Sequence, residues 1–221
     1  MAIDIETYHS LANKLQAQKV TLVAVSKTKP VADIQQLYEL GQRDFGENYV
    51  QELTEKQPQL PADVRWHFIG HLQSNKVKYI APFVHLIHGI DSYKLLKEVD
   101  KQARKINRVM DVLLQVHIAQ EETKFGLDEN ELAALMEQCK KENLKQVRIR
   151  GLMGMASFTT HKEQVQKEFG YLKALFDQYA NVQCGNIHFQ ILSMGMSGDY
   201  AIAIEEGSNM VRIGSLIFGS R

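Results

Sequence analysis

The sequence predicts one α/β domain, residues 1–221, folded as a closed (β/α)8 or TIM barrel. Eight short apolar segments alternate with helix-like segments along the chain, and this alternation indicates a parallel sheet. A length of 221 residues falls in the range that closed barrels use for one domain. Lys27-Thr28-Lys29-Pro30 follows the first strand, where an open dinucleotide-binding sheet would carry a glycine fingerprint.

The expected elements follow from periodicity. Leu11 and Leu15 stand at helical spacing in the first helix, and the apolar run TLVAVS is the first buried strand. The strands share apolar cores and are expected at Thr21–Ser26, Arg43–Gly46, Trp66–Gly70, His85–Ile90, Met110–Ile118, Val147–Met155, Ile187–Ser193 and Met210–Ile213. The helices share amphipathic spacing and are expected at Tyr8–Lys19, Val31–Leu40, Tyr49–Lys56, Asn75–Ile80, Tyr93–Ile106, Glu129–Lys140, Glu163–Tyr179 and Tyr200–Glu205.

Composition narrows the class of protein. The 26 basic and 26 acidic side chains give a net charge of zero, and no like-charge run suggests a nucleic-acid partner. The polar, acidic start MAIDIETYHS is unlike a signal peptide, and no apolar run approaches a membrane span. Cys139 and Cys184 form no CxxC pair, so we expect two core thiols rather than a disulfide framework. We therefore expect a cytoplasmic monomer without nucleic-acid or membrane partners.

Lys27 is the first candidate functional residue. Strand side chains alternate, so Val23, Val25 and Lys27 share one face of the first strand. Barrel interiors favour branched residues, which puts Lys27 at the mouth and pointing inward. A desolvated lysine there is a nucleophile toward carbonyls, whereas a lysine at a strand end can also extend into solvent. Parity alone leaves both interpretations open.

Glycine and hydroxyl residues follow the last two strands. SMGMSGD (193–199) and RIGSLIFG (212–219) lie where barrels commonly hold phosphate. We select Ser193, Ser197, Gly214 and Ser215 as donors, although such glycines can also simply make turns. Arg212 lies inside the strand and faces the mouth, where it would pair with a carboxylate or meet a ligand.

Six motifs together resemble the pyridoxal phosphate homeostasis protein family over nearly the whole chain. They stand in the family's order: AVSKTKP (24–30), FGENYVQE (45–52), WHFIGHLQSNK (66–76), RGLM (150–153), SMGMSGD (193–199) and RIGSLIFG (212–219). The resemblance implies a barrel like the alanine racemase N-terminal domain, which is pyridoxal phosphate fold type III. It implies a Schiff base between pyridoxal 5′-phosphate and Lys27, and it places Arg212 opposite the pyridine nitrogen and Asn48 beside the ring. Ser193, Ser197, Gly214 and Ser215 fall on the family's phosphate-binding segments.

The histidines are weak metal candidates. His67 and His71 are four apart, but WHFIGH is typical of strand and loop, and Phe68 stands where HExxH has its glutamate. His85 and His88 have opposite strand parity, so both cannot face the barrel. We expect structural histidines, no metal site and no catalytic residue.

The resemblance implies a non-enzymatic protein that holds pyridoxal phosphate and takes part in vitamin B6 and amino-acid homeostasis as a carrier or buffer. Apo-enzymes that use pyridoxal phosphate are the implied acceptors. An arginine at the ring nitrogen keeps the ring neutral and weakens carbanion stabilisation, and the chain ends too soon for the second domain of alanine racemase. Two alternatives stay open: an amino-acid racemase whose second base is Tyr49 or His67, and a barrel enzyme for a small phosphorylated metabolite.

Overall fold

The computed structural model describes residues 3–121, 123–142, 144–182 and 185–219, and in these ranges it shows a closed parallel barrel. Each strand pairs with the next, and β1 also pairs with β8, so the predicted (β/α)8 barrel is confirmed. The strands share a parallel register and are β1 Thr21–Val25, β2 Asp44–Glu47, β3 Arg65–Phe68, β4 Leu86–Ile90, β5 Met110–Gln115, β6 Val147–Met153, β7 Ile187–Ser193 and β8 Met210–Ile213.

The helices surround the barrel. One helix precedes β1 and the others follow the strands: they are α1 Ile5–Ala17, α2 Val31–Glu39, α3 Val50–Lys56, α4 Val77–Ile80, α5 Tyr93–Lys105, α6 Glu129–Lys141, α7 Lys162–Ala180, α8 Tyr200–Glu205 and α9 Ser215–Phe218. Single 3₁₀ turns cover Gln57–Gln59 and Ser74–Lys76. None of the helices in the described part of the chain is both long enough and apolar enough to cross a membrane.

Several boundaries differ from the predicted ones. The first helix begins at Ile5 rather than Tyr8, because the Asp4 carboxylate accepts the Thr7 N–H at 2.9 Å and caps it. The strand β5 ends at Gln115 rather than Ile118, since the chain beyond forms only an isolated bridge from Val116. Sequence patterning misses α9 altogether, because four residues are too short to show a helical period.

Two apolar cores hold the barrel together. The larger core lies between strands and helices and includes Leu22 and Ala24. The smaller one is inside the barrel and consists of Val23, Leu86, Leu113, Met153 and Met210, with Met155 and Ile191 packed against it. The predicted inward face of β1 is therefore confirmed at Val23.

Both cysteines were expected to be core thiols, and the structure describes one of them. Cys139 is buried on α6, as expected of a core cysteine. Cys184 lies outside the described residues.

Candidate functional site

The carboxyl-terminal mouth of the barrel gathers several sequence-predicted residues. In β1 and β2, Val25 is aligned with Gly46, so Lys27 and Asn48 each follow an aligned position by two residues. On the other side of β1, a Cβ built on Gly214 would lie 3.1 Å from the Val25 carbonyl oxygen. The Lys27 turn thus lies between the ends of β2 and β8.

The residue before Lys27 is held by a buried cluster. The Ser26 hydroxyl and the Glu47 Oε1 atom lie 2.6 Å apart, and Lys56 Nζ donates to both the Ser26 carbonyl and Glu47 Oε1 at 2.8 Å. Lys56 also pairs with Glu52 at 2.6 Å. Burial raises the pKa of Glu47, and hydrogen bonds from Lys56 and Ser26 oppose that rise. This cluster, which we call the Ser26 clamp, packs between β1, β2 and α3.

The turn itself is strained. Thr28 has φ +65°, in the left-handed region that β-branched residues avoid. Its N–H donates to Glu52 Oε1 at 2.5 Å, which ties the turn to the Ser26 clamp. Lys29 Nζ donates to the carbonyl oxygens of Phe218 at 2.8 Å and Gly219 at 3.4 Å. Lys29 therefore closes the end of α9, and Lys27 and Lys29 are both half-buried.

Arg212 lies just below the mouth and is only 4% exposed. Its Nη1 donates to the Ser193 carbonyl at 2.9 Å and to the Ser193 hydroxyl at 2.6 Å, and its Nη2 donates to the Gly154 carbonyl at 3.0 Å. Burial lowers the pKa of Arg212 to about 10, and the Asp199 carboxylate opposes this. None of the three hydrogen bonds goes to a carboxylate, although a guanidinium carries five donors.

The four predicted phosphate donors fall into two groups. Ser197, Gly214 and Ser215 come together, since the Gly214 N–H donates to Ser197 Oγ at 3.3 Å and Ser215 begins α9. Ser193 lies apart from them, fully buried beneath Arg212 with its hydroxyl engaged by that guanidinium. The structure therefore joins the loops after β7 and β8, and it places Ser193 below them.

Asn48 carries an unpartnered buried atom. Its Oδ1 is inaccessible and has no hydrogen-bond partner in the described part of the chain. The backbone around it is tight, because a Cβ on Gly70 would fall 2.2 Å from the Asn48 carbonyl oxygen. A buried amide oxygen without a partner costs free energy unless a ligand or water supplies a donor.

A cavity of about 760 Å³ adjoins Asn48 on the β3 side of the mouth. Tyr49, 57% exposed, and His71 line it. His71 Nδ1 lies 3.1 Å from Asp91 Oδ2, and its ring stacks on Phe125 at 4.0 Å. The sequence marks His71 only as a weak metal candidate, because nothing in it shows the contact between His71 and Asp91.

His67, His85 and His88 lie inside the barrel or at its amino-terminal mouth. His67 is 1% exposed, with its ring nitrogens 2.9 Å from His88 Nε2 and from Asp44 Oδ1. His88 faces inward and His85 is exposed, consistent with their opposite parity. Among the described residues, no cluster of three or more His, Cys, Asp or Glu side chains is able to hold a metal ion. As a second base at the cofactor, His67 would have to give up one of two hydrogen bonds, because its ring nitrogens face His88 and Asp44.

The sequence and fold match known proteins. The family described as alanine racemase, N-terminal domain, matches residues 6–221. The pyridoxal phosphate homeostasis protein of Aquifex aeolicus is 42% identical over 201 residues, which cover 90% of this chain and 86% of that protein. Its counterpart in Schizosaccharomyces pombe is 39% identical over 228 residues, covering 98% and 94%.

Solved structures agree with these matches. PipY of Synechococcus elongatus, solved with pyridoxal phosphate bound, superposes with a TM-score of 0.87 at 36% identity, covering 97% of this chain and 99% of that one. An alanine racemase of Clostridium difficile, at 14% identity and a TM-score of 0.74, shows a shared fold across 100% of this chain and 58% of that one. The chain therefore belongs to the pyridoxal phosphate homeostasis protein family, whose barrel is that of the alanine racemase N-terminal domain.

Proposed function

We propose that this protein binds pyridoxal 5′-phosphate at the carboxyl-terminal mouth, as a Schiff base on Lys27. It then holds the cofactor as a carrier or buffer for apo-enzymes, and so takes part in vitamin B6 and amino-acid homeostasis. The observation that carries this proposal is the clamped Lys27 turn at the end of β1, next to strand β8 with its desolvated Arg212, whose three hydrogen bonds go to Ser193 and Gly154. The family membership and the cofactor-bound PipY structure support it.

The donor set suits the cofactor. Ser197 and Ser215 offer hydroxyl donors for a phosphate on the two touching loops, and the Gly214 N–H would join them by exchanging its 3.3 Å hydrogen bond to Ser197 Oγ for the phosphate. On the β2 side of the Lys27 turn, away from the two loops, the buried Asn48 Oδ1 is an acceptor for which a ligand could supply the donor. We assign Ser193 to orienting Arg212 rather than to the phosphate, because its hydroxyl is already engaged below the guanidinium.

Arg212 also favours holding over turnover. Pyridoxal phosphate supplies an electron sink that is strongest when its ring nitrogen is protonated. An arginine donates a hydrogen bond to a neutral ring nitrogen and cannot accept the ring proton while it is charged. Even with its pKa lowered to about 10, Arg212 is a cation at neutral pH. We infer a carrier without substantial catalytic turnover.

A racemase-like enzyme is the second candidate. The observation that favours it is Tyr49, which is exposed beside the cavity at the mouth and lies at the start of α3. Such an enzyme would need a group of this kind as its second acid or base. Dependence of any racemisation on the Tyr49 hydroxyl would distinguish this candidate.

Borohydride trapping tests the proposed site. The protein is loaded with pyridoxal phosphate, reduced and digested, and the modified peptide is identified by mass spectrometry. We expect the adduct on Lys27, and Lys27→Ala should abolish it while Lys29→Ala should not, since Lys29 Nζ is committed to the end of α9. An adduct on Lys29 or Lys76 would overturn the assignment.

Carrier function needs a separate measurement. The loaded protein is mixed with an apo-enzyme that requires pyridoxal phosphate, and recovery of that enzyme's activity is followed against free cofactor at equal concentration. Transfer from the wild type supports a carrier, and failure to transfer above the rate of spontaneous release contradicts it. We also infer that residues 1–221 act as one cofactor-binding domain. We infer that the protein is a monomer, and sedimentation analysis of the loaded protein tests this.

A further inference from the structure

Five inward-facing side chains form a continuous hydrogen-bonded chain along the inside of the barrel. Arg212 Nη1 lies 2.6 Å from Ser193 Oγ, which lies 3.2 Å from His88 Nδ1. His88 Nε2 lies 2.9 Å from His67 Nδ1, and His67 Nε2 lies 2.9 Å from Asp44 Oδ1. Arg212 and Ser193 belong to the carboxyl-terminal half of the barrel, and Asp44 begins β2 at the other end. We call this row the inner relay.

The two ends determine the outer hydrogen bonds of the inner relay, and the tautomers of His88 and His67 determine the two hydrogen bonds between them. Arg212 can only donate, and an ionised Asp44 can only accept. Ser193 therefore accepts from Arg212, and when His88 and His67 each carry one hydrogen, on Nε2, it donates its hydroxyl hydrogen to His88 Nδ1. His88 donates from Nε2 to His67 Nδ1, and His67 donates from Nε2 to Asp44.

The charges around the relay maintain this arrangement. Burial raises the pKa of Asp44, but hydrogen bonds from Arg65 at 2.8 and 2.5 Å and from His67 outweigh burial and hold the carboxyl far below its usual range. Burial lowers the pKa of His88 well below 6.5, with smaller contributions from His67, Arg212 and His85. At neutral pH Asp44 is thus ionised and His88 is neutral.

Only the far end of the relay is open to solvent. His88 is fully buried and His67 is 1% exposed. A cavity of about 460 Å³ at the amino-terminal mouth is lined by Asp44, Arg65, His67 and His85. The inner relay therefore connects this mouth to Arg212 through buried hydrogen bonds.

We propose that Asp44, His67 and His88 are positioning residues for Arg212, so that the charge on Asp44 sets which donors the cofactor meets. With Asp44 ionised, the Ser193 hydroxyl hydrogen points to His88, and the lone pairs of Ser193 Oγ accept the hydrogen bond from the Arg212 guanidinium. Without that charge, the relay can reverse, with His88 donating from Nδ1 to Ser193. The Ser193 hydrogen then turns toward the Arg212 side and competes with the guanidinium. This inference rests on the proposed function only for its effect on the cofactor.

The hydrogen arrangement is tested on the cofactor-free protein by ¹⁵N NMR of labelled histidines. We expect His67 and His88 as neutral Nε2–H tautomers, with a scalar coupling across the His88 Nε2–H···Nδ1 His67 hydrogen bond. Asp44→Asn keeps an acceptor of the same shape and removes the charge, so it should yield a population of Nδ1–H tautomers. Nδ1–H tautomers in the wild type would overturn the proposal.

Asp111→Asn is the matched control, because Asp111 lines the same mouth and pairs with Arg148 and Arg150, outside the relay. It removes the same charge and should leave both tautomers unchanged. A tautomer change of equal size in Asp44→Asn and Asp111→Asn would overturn the proposal, since it would indicate a general electrostatic effect.

The effect on the site is tested with pyridoxal phosphate as the probe. Asp44→Asn should speed release of the bound cofactor about fivefold, the factor associated with one net hydrogen bond, and Asp111→Asn should not. His88→Gln interrupts the relay at its middle and should also speed release. It replaces Asp44→Asn as the test if Asp44→Asn does not fold. Equal release rates in wild type and both relay variants would overturn the coupling. Failure of the wild type to bind the probe would refute the proposed function instead, and the NMR result would stand.

Discussion

Lys56 Nζ donates to the carbonyl oxygen of Ser26, the residue before Lys27, at 2.8 Å. The ammonium is nearly buried and also contacts Glu47 and Glu52. A cation on α3 therefore fixes the backbone at the end of β1, and the position of Lys27 depends on a residue far from it in sequence.

Replacing Lys56 with Met should lower the free energy of unfolding by about 3 kcal/mol, because it leaves the buried Glu47 carboxylate without its cation. Denaturant unfolding measures the loss. Lys97→Met is the control, since its pair with Glu142 is half exposed and should contribute less than about 1 kcal/mol. Equal losses in the two variants would contradict a structural role for the Ser26 clamp.

Relief of the backbone strain at Thr28 should affect the stability of the fold and the retention of the cofactor in opposite directions. Thr28→Gly should leave stability unchanged or raise it by up to about 1 kcal/mol, because glycine adopts positive φ without a Cβ clash. It should also weaken retention of pyridoxal phosphate, since the Lys27 turn becomes looser. Lys19→Gly, at φ +58° after α1, should stabilise without affecting retention. Thermal unfolding and dialysis of the bound cofactor give the two measurements.

Asp44 should contribute to stability in a pH-dependent way. Its folded-state pKa lies below the unfolded value of 3.8, so its contribution is fully present above that value and is lost as pH falls through the folded-state pKa. The stability difference between wild type and Asp44→Asn should therefore shrink below about pH 4. Urea unfolding from pH 7 to pH 3 measures it. Glu137→Gln, an exposed carboxylate on α6, should show a much smaller difference.

Ser215→Ala should weaken cofactor retention only modestly, because the backbone N–H groups and Ser197 remain at the proposed phosphate site. The release rate of pyridoxal phosphate should rise by less than about tenfold. Ser10→Ala, an exposed serine on α1, serves as the control. A structure of the loaded protein with phosphate on other loops would refute the assignment.

The loaded protein should show no substantial racemase, transaminase or decarboxylase turnover with common amino acids. Loss of one general acid or base typically removes a factor of about 10²–10⁴, which leaves at most a weak side activity. Chiral chromatography of alanine and serine after long incubation tests this. Steady racemisation that Lys27→Ala and Tyr49→Phe both abolish would instead favour the enzyme.

Much of the site can be predicted from the sequence, because strand parity and strand order are local properties. Val23 shows the inward face that parity predicts, and the loops after β7 and β8 do meet at Gly214 and Ser197. The identity of partners across the barrel is not local. Ser193 looks like a phosphate donor in SMGMSGD, yet its hydroxyl is directed to Arg212 and His88.

Apolar periodicity and the order of the motifs along the chain were enough to predict the barrel, its eight strands and the family. Tertiary structure alone decided that Lys56 holds Ser26, that Thr28 is strained and that His67 and His88 link Asp44 to Arg212. The physical reason is that barrel closure brings together side chains from β2, β3, β4, β7 and β8, and the direction of their hydrogen bonds depends on which donors and acceptors then meet.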